Sequence, residues 1–299
     1  HYIYTEDNKM DINYELYKVF YYVATSLSFS EASKKLFISQ SAVSQSIKTL
    51  EKKLGQTLFI RSTKKVQLTA DRKHIEPAMN LIARGESQLL DSGTLGLGQL
   101  HIGASDTICR YLLVPYLKQF HQRFPNVPIK VTNATSIQCV ELLEQRKVDL
   151  IVTNFPNSHL NHSYRQKTIC NFSDVANPNY FKLRKQEIAF SELNKYPIMM
   201  LDRNSTTSEF LHNLFLQHQV DLIPEIELSS NDLLIDLAKI GLGIAFVPDY
   251  CINHENKELF VLKTKEKMPP RQIVVSVNTT MPVSASTEEF LNLLPEVGN

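Results

Sequence analysis

Residues Ser30 to Arg61 read SEASKKLFISQSAVSQSIKTLEKKLGQTLFIR, with apolar side chains at helical spacing around a patch of Ser and Gln. No other stretch of the chain restricts the fold so tightly. Ser28 and Glu31 have the Ser-x-x-Glu spacing of a capping box, which starts a short helix carrying Ala32, Leu36 and Phe37. Ser39 is placed to cap the next helix, and Gly55 to end it in a left-handed turn. On that helix Val43, Ile47, Leu50 and Leu54 share one narrow arc, while Ser41, Gln45, Lys48 and Lys52 point the opposite way. Upstream, Leu16, Val19, Phe20 and Val23 mark one face of an amphipathic helix over Tyr14 to Ser26, against which the other two pack.

A helix face built of Ser and Gln calls for a reason, because Glu and Lys have better helix propensity than Ser. Two helices joined by a tight turn, the second presenting short hydrogen-bonding side chains flanked by lysines, suit a DNA major groove. Charge agrees. Between Ser30 and Lys73 the bases Lys34, Lys35, Lys48, Lys52, Lys53, Arg61, Lys64, Lys65, Arg72 and Lys73 face only Glu31, Glu51 and Asp71. Leu58 to Ile60 and Val66 to Leu68, separated by RSTKK, read as a two-stranded wing whose tip lies along phosphates. Ser41, Gln45 and Lys48 are thus expected on bases, Arg61, Lys64 and Lys65 on the backbone, and Lys52 on the same DNA-facing side of the helix.

Composition sets outer bounds. At 299 residues the chain exceeds one hydrophobic core, and 43% hydrophobic residues suffice for two or three. A net charge of +1 excludes a uniformly basic nucleic-acid protein and leaves a local basic patch open. The cysteines Cys109, Cys139, Cys170 and Cys251 form no C-x-x-C pair, which fits a reduced cytoplasmic protein without a metal site. No run reaches the length of a membrane span, and HYIYTEDNK before Met10 has neither periodicity nor signal-peptide order, so it is read as extraneous.

The span FSEASKKLFISQSAVSQSIKTLEKKLGQTLFIRSTKKVQLT resembles the winged helix-turn-helix of LysR-type transcriptional regulators in its order of apolar, Ser-Gln and LEKKLG-LF-R elements. One departure is LTADRKHIEP, which lacks the glycine expected shortly after LT. The resemblance adds Gln40 and Ser44 as DNA contacts, and implies promoter DNA, a small-molecule effector and RNA polymerase as partners of a homodimer or homotetramer. It needs no cofactor.

Beyond the wing, Ile75, Ala78, Ile82 and Leu89 approximate a heptad seam over residues 69–92, with Pro77 kinking or restarting the helix. Such a helix either pairs with a second copy or folds onto its own domain; the resemblance favours pairing. Residues 93–98 read as a Gly-rich hinge. Strands and helices then alternate: Leu100 to Ala104, Tyr111 to Phe124, Ile129 to Val131, Ile137 to Arg146 and Leu150 to Val152. A second series runs Ile198 to Leu201, Glu209 to His218, Ile226 to Leu228, Asp232 to Ile240 and Ile244 to Val247. This rhythm predicts parallel, doubly wound sheets. DLLIDLAKIGLGIAFVPDY is similar to the phrase closing the second effector subdomain of the LysR family. The expected fold is α/β: an all-α winged helix-turn-helix over 10–68, a linker helix, and a two-lobed effector domain over 99–299 that resembles periplasmic solute-binding proteins. Lobe I is placed at about 99–162 and 270–295, and lobe II at about 163–269.

Ligands of open parallel sheets sit at the carboxyl ends of strands, beside helix N-termini. Ser105, Thr107, Thr135, Ser136, Thr153 and Asn154 occupy those positions in one lobe, and Ser205, Thr206 and Thr207 in the other. They either cap helices or bind a small carboxylate or similar anion. Arg110 and Arg203 lie near these loops and either pair with the carboxylate or form surface salt bridges. His101, His121 and His218 lack metal spacing, and no G-x-S-x-G, H-E-x-x-H or Walker pattern occurs, so nothing marks an enzyme. Two alternatives stay open: a solute-binding module without transcriptional output, and a redox regulator using Cys109.

Overall fold

The computed structural model describes residues 13–61, 66–69, 79, 98–161, 164–177, 183, 186–252, 259–280 and 282–297. The chain divides into two compact units, residues 1–86 and 87–299.

The first unit begins with α1 (Tyr14–Ser26), α2 (Phe29–Leu36) and α3 (Gln40–Leu54), followed by the antiparallel wing β1 (Phe59–Arg61) and β2 (Val66–Leu68). Ser28 Oγ accepts from Glu31 N and Ser39 Oγ from Ala42 N, as the spacing required; of the expected capping box only the Ser28 half is formed. Gly55 closes α3 at φ +68°. Val43, Ile47 and Leu50 are fully buried against Val19, Phe20, Val23, Phe29 and Ala32. Phe59 joins this core through ring contacts with Phe20 and Phe29 at 5.5 and 5.8 Å. Phe37 departs from expectation. It takes the left-handed C-cap of α2 at φ +55°, which directs its ring away from the core and leaves it 95% exposed. The predicted linker seam Ile75, Ala78, Ile82 and Leu89, like most of residues 69–98, lies outside the described residues.

The second unit holds two sheets. β3 (Leu100–Ala104) is followed by a short turn of helix Asp106–Ile108, a π-helical stretch Cys109–Leu113 and α4 (Val114–Arg123). Next come β4 (Ile129–Asn133), α5 (Ser136–Glu144), β5 (Leu150–Phe155) and β6 (Arg165–Phe172). The chain then crosses into β7 (Asp174–Asn177), β8 (Glu187–Ile188), α6 (Phe190–Leu193), β9 (Ile198–Leu201), α7 (Thr206–Gln217), β10 (Ile226–Leu228), α8 (Asn231–Lys239) and β11 (Ile244–Pro248). It returns through β12 (Lys263–Thr264) to β13 (Arg271–Val277) and α9 (Ala285–Leu293).

The first sheet has the order β4-β3-β5-β13-β6 and the second β10-β9-β11-β7, while β8 and β12 form a separate pair. Two expectations change here. Strand β6 belongs to the first sheet, paired with β13, so the second lobe starts after Phe172 and not at residue 163. The sheets are also mixed: β3, β4 and β5 are parallel, but β13 runs antiparallel to both β5 and β6, and β7 antiparallel to β11. A strand that arrives from the other lobe enters without a βαβ crossover, so nothing holds it to the parallel direction. The core strands β3 and β11 are buried along their whole length. Phe190 stacks on Phe215 at 4.2 Å in the second lobe, and Phe120 meets Phe290 edge-on in the first. Among the described residues no helix is long and apolar enough to cross a membrane.

Candidate functional site

In the first unit, α3 turns the Ser, Gln and Lys side chains of its sequence away from the core. Gln40, Ser41, Gln45, Lys48 and Lys52 are exposed on it and Ser44 is half-buried, while Val43, Ile47 and Leu50 anchor the opposite side. Lys34, Lys35 and Lys53 are exposed as well. Glu51, which in the sequence counted against this positive charge, is turned inward: its Oε1 accepts from the backbone N–H of Leu58 and Phe59 at 2.8 and 3.2 Å. The carboxylate ties α3 to the wing and is half spent on two amides. Lys64, Lys65 and the side chain of Arg61 lie outside the described residues.

The second unit contains a cavity of about 80 Å³ between its lobes. From the first lobe it is lined by Ser105, Thr107, Thr135, Ser136 and Asn154; from the second by Leu201, Asp202, Ser205, Thr206, Thr207, Ser229 and Asn231, with Tyr250. Strand ends and helix starts explain the convergence. Ser105 Oγ accepts from Ile108 N, Thr135 Oγ1 from Gln138 N, Ser205 Oγ from Ser208 N and Ser230 Oγ from Leu233 N, each capping the helix that leaves a strand of its sheet. Thr135 and Gln138 form a complete capping box. Asn231 Nδ2 donates across the lobes to Thr107 Oγ1 at 3.1 Å, and the buried side-chain oxygens of Asn154 and Asn231 accept no bond.

Residues 14–71 match the family model described as bacterial regulatory helix-turn-helix protein, lysR family, and residues 94–299 match the LysR substrate binding domain. The chain belongs to the LysR family of transcriptional regulators. It is 29% identical over 290 residues to a probable RuBisCO transcriptional regulator of Phaeodactylum tricornutum, covering 93% of this chain and 94% of that protein. In fold it is similar to a full-length OxyR variant from Pseudomonas aeruginosa, with TM-score 0.69, 19% identity and coverage of 95% and 97% of the two chains. It is likewise similar to the regulatory domain of CcmR from Synechocystis PCC6803 in complex with 2-PG, with TM-score 0.59 and 22% identity over 65% of this chain and 94% of that one. This LysR-type protein is therefore a DNA-binding transcriptional regulator with an effector-binding domain.

Within the regulator, one predicted cleft residue is displaced. Thr153 is fully buried, absent from the cavity wall, and its Oγ1 makes no hydrogen bond. Successive side chains of a strand point to opposite faces, so of Thr153 and Asn154 only one reaches the cleft. Asn154 does. Arg110 and Arg203 take the salt-bridge alternative, to Asp232 at 2.9 Å and Glu227 at 3.8 Å. His101 is buried with Nε2 against Thr132 Oγ1 at 2.8 Å, and among the described residues no His, Cys, Asp or Glu cluster is arranged to hold a metal.

Two of the thiols are held away from the thiolate form. Burial first, then Asp106, push Cys109 up to about 11, and burial pushes Cys139 up to about 12, the reverse of what a reactive thiolate requires. Sequence reasoning missed Ser229 and Asn231, although they follow strand β10 by the same rule that found the others. It also missed Arg271, a buried cation behind Thr206 and Thr207.

Proposed function

We propose that this regulator binds a small anionic metabolite in the interlobe cleft, and that binding alters how its subunits are arranged on promoter DNA. The observation that supports it is the gathering of helix starts from both lobes at one cavity. Three of these helices, α5, α7 and α8, are long enough to count, and each N-terminus carries roughly half a positive charge. With Arg271 behind the wall they outweigh Asp202, whose Oδ1 is in any case engaged by Asn204 N. Ser105, Thr107, Thr135 and Thr206 with backbone N–H groups hold the anion, and the oxygens of Asn154 and Asn231 suit a hydroxyl or ammonium elsewhere on it.

At the other end of the chain, Ser41, Gln45 and Lys48 read bases. Gln40 and Ser44 flank them, and Lys52, Arg61, Lys64 and Lys65 hold phosphates. The linker helix pairs two chains, effector domains add a second contact that makes tetramers, and DNA-bound protein meets RNA polymerase in the cytoplasm. The cleft is read as a binding site and not as an enzyme's. A ligand moves such a system only through unequal affinity for its conformations, so the effector must favour one lobe arrangement.

The test is calorimetric titration, against metabolites selected by thermal stabilisation, of the native protein and of Ser105→Ala and Thr135→Val. Each lost hydroxyl contact to a charged ligand weakens binding by about tenfold or more. If both variants bind the effector as tightly as the native chain, Ser105 and Thr135 are helix caps only.

A further inference from the structure

We propose that Arg271 sets the charge preference of the cleft by fixing the hydroxyls of Thr206 and Thr207 as donors toward the effector. The proposal rests on the reading of the cleft as an anion site and adds a positioning residue that no cleft-lining pattern reveals. Arg271 opens β13, where the chain returns to the first lobe, and is 1% exposed. Its guanidinium carbon lies 5.2 Å from the ring centre of Phe172, at the end of β6, and 4.7 Å from that of Phe210, on α7. One ring comes from each lobe, and between them the plane of the group is held.

From that position Nη1 donates to Thr207 Oγ1 at 3.0 Å and Nη2 to Thr206 Oγ1 at 3.5 Å. The threonines are 1% and 3% exposed, stand in the first turn of α7, and line the cavity. A guanidinium has only donors, so in both contacts the threonine oxygen must accept. The hydroxyl hydrogen is then left to donate to something else. Among the described residues the side-chain hydrogen bonds of these two hydroxyls are the ones they accept from Arg271, and a buried donor without an acceptor is destabilising. An anion in the cleft supplies that acceptor. A neutral ligand of the same shape supplies a weaker one and gains nothing from the buried charge behind. Because Arg271 comes from one lobe and the threonines from the other, the donors are oriented only while the lobes hold this arrangement, which couples charge reading to conformation.

The test titrates the full-length chain with glycolate and with its neutral isostere glycolamide at fixed ionic strength. The native protein binds glycolate about tenfold or more tightly than glycolamide, the ratio expected of hydrogen bonds to a charged partner. In Arg271→Gln and in Thr207→Val, glycolate affinity falls by about tenfold or more and glycolamide affinity by far less, so that the ratio of the two collapses toward one; Arg271→Lys restores part of the preference. A merely structural role would weaken both probes together. Should Arg271→Gln fail to fold, Thr207→Val carries the test, since it keeps both the shape and the cation. If both variants keep the native ratio while Ser105→Ala weakens glycolate binding, the anion cleft stands and the role of Arg271 is refuted. If the native chain prefers neither probe, the anion reading fails and this proposal fails with it.

Discussion

Replacing Asp232 by Ala and Tyr111 by Phe, singly and together, measures what holds the two lobes of the effector domain against each other. Tyr111 of the first lobe donates to Asp232 Oδ1 of the second at 2.5 Å, and Arg110 Nη1 lies 2.9 Å from Oδ2. A hydrogen bond to a charged acceptor contributes about 1.5–3 kcal/mol, and partial exposure of this carboxylate lowers the expectation to about 1–2 kcal/mol. Arg110, with 63% of its side chain exposed, adds less than about 1 kcal/mol. Asp232 also stands in the first turn of α8, where a carboxylate is worth about 0.3–1 kcal/mol. Tyr111→Phe should therefore cost about 1–2 kcal/mol and Asp232→Ala about 2–3 kcal/mol, with a coupling of about 1–2 kcal/mol in the double mutant. Native-state hydrogen exchange at Leu233 to Ile235 reads these values as local opening free energies. Burial, followed by the bond to Asp232, pushes the Tyr111 hydroxyl well above the ordinary tyrosine range, so it keeps its proton and the coupling stays flat between about pH 6 and 9. A coupling under about 0.5 kcal/mol would refute the latch.

Glu51→Ala frees two buried amides that its Oε1 now satisfies, and should lower stability of the N-terminal unit by about 1–3 kcal/mol in thermal or urea melts; an unchanged melt removes the strut. Lys52→Ala should reduce the slope of log affinity against log salt by about one in DNA titrations and weaken all sequences alike, and an unchanged slope would remove Lys52 from the phosphate contacts. With its thiol raised from 9.0 to about 11, Cys109 holds on the order of 100-fold less thiolate at pH 8 than an ordinary cysteine. Iodoacetamide labelling followed by peptide mapping should find it correspondingly slow, and labelling at the rate of free glutathione would revive the redox alternative.

The DNA-binding half was legible because its information is local. Ser28, Ser39 and Gly55 act within one turn of themselves, and the Val43–Ile47–Leu50 arc repeats at the period of a single helix. In the effector half the strands were equally visible but their partners were not. Whether Arg165–Phe172 lies in one sheet or the other is decided by Arg271–Val277, about a hundred residues away, and no alternation pattern encodes that pairing. Thr153 was misplaced because a strand end offers two polar neighbours and the face is fixed only by register. Arg271 was invisible for a different reason: an arginine at a strand start reads as surface, and only the approach of Phe172, Phe210 and the first turn of α7 makes it interior.

The central claim, that α3 carries a base-reading surface, is tested most directly by selecting DNA from a random pool with the native chain and with Gln45→Ala. The native protein should enrich a two-fold-symmetric site, because a paired regulator presents two copies of α3. Gln45→Ala should relax the preference at one base pair of each half-site, at a cost of about 1–3 kcal/mol there, and leave the other positions as they were. An equal loss of affinity for every sequence would contradict the account and reduce the Ser and Gln face of α3 to a backbone contact.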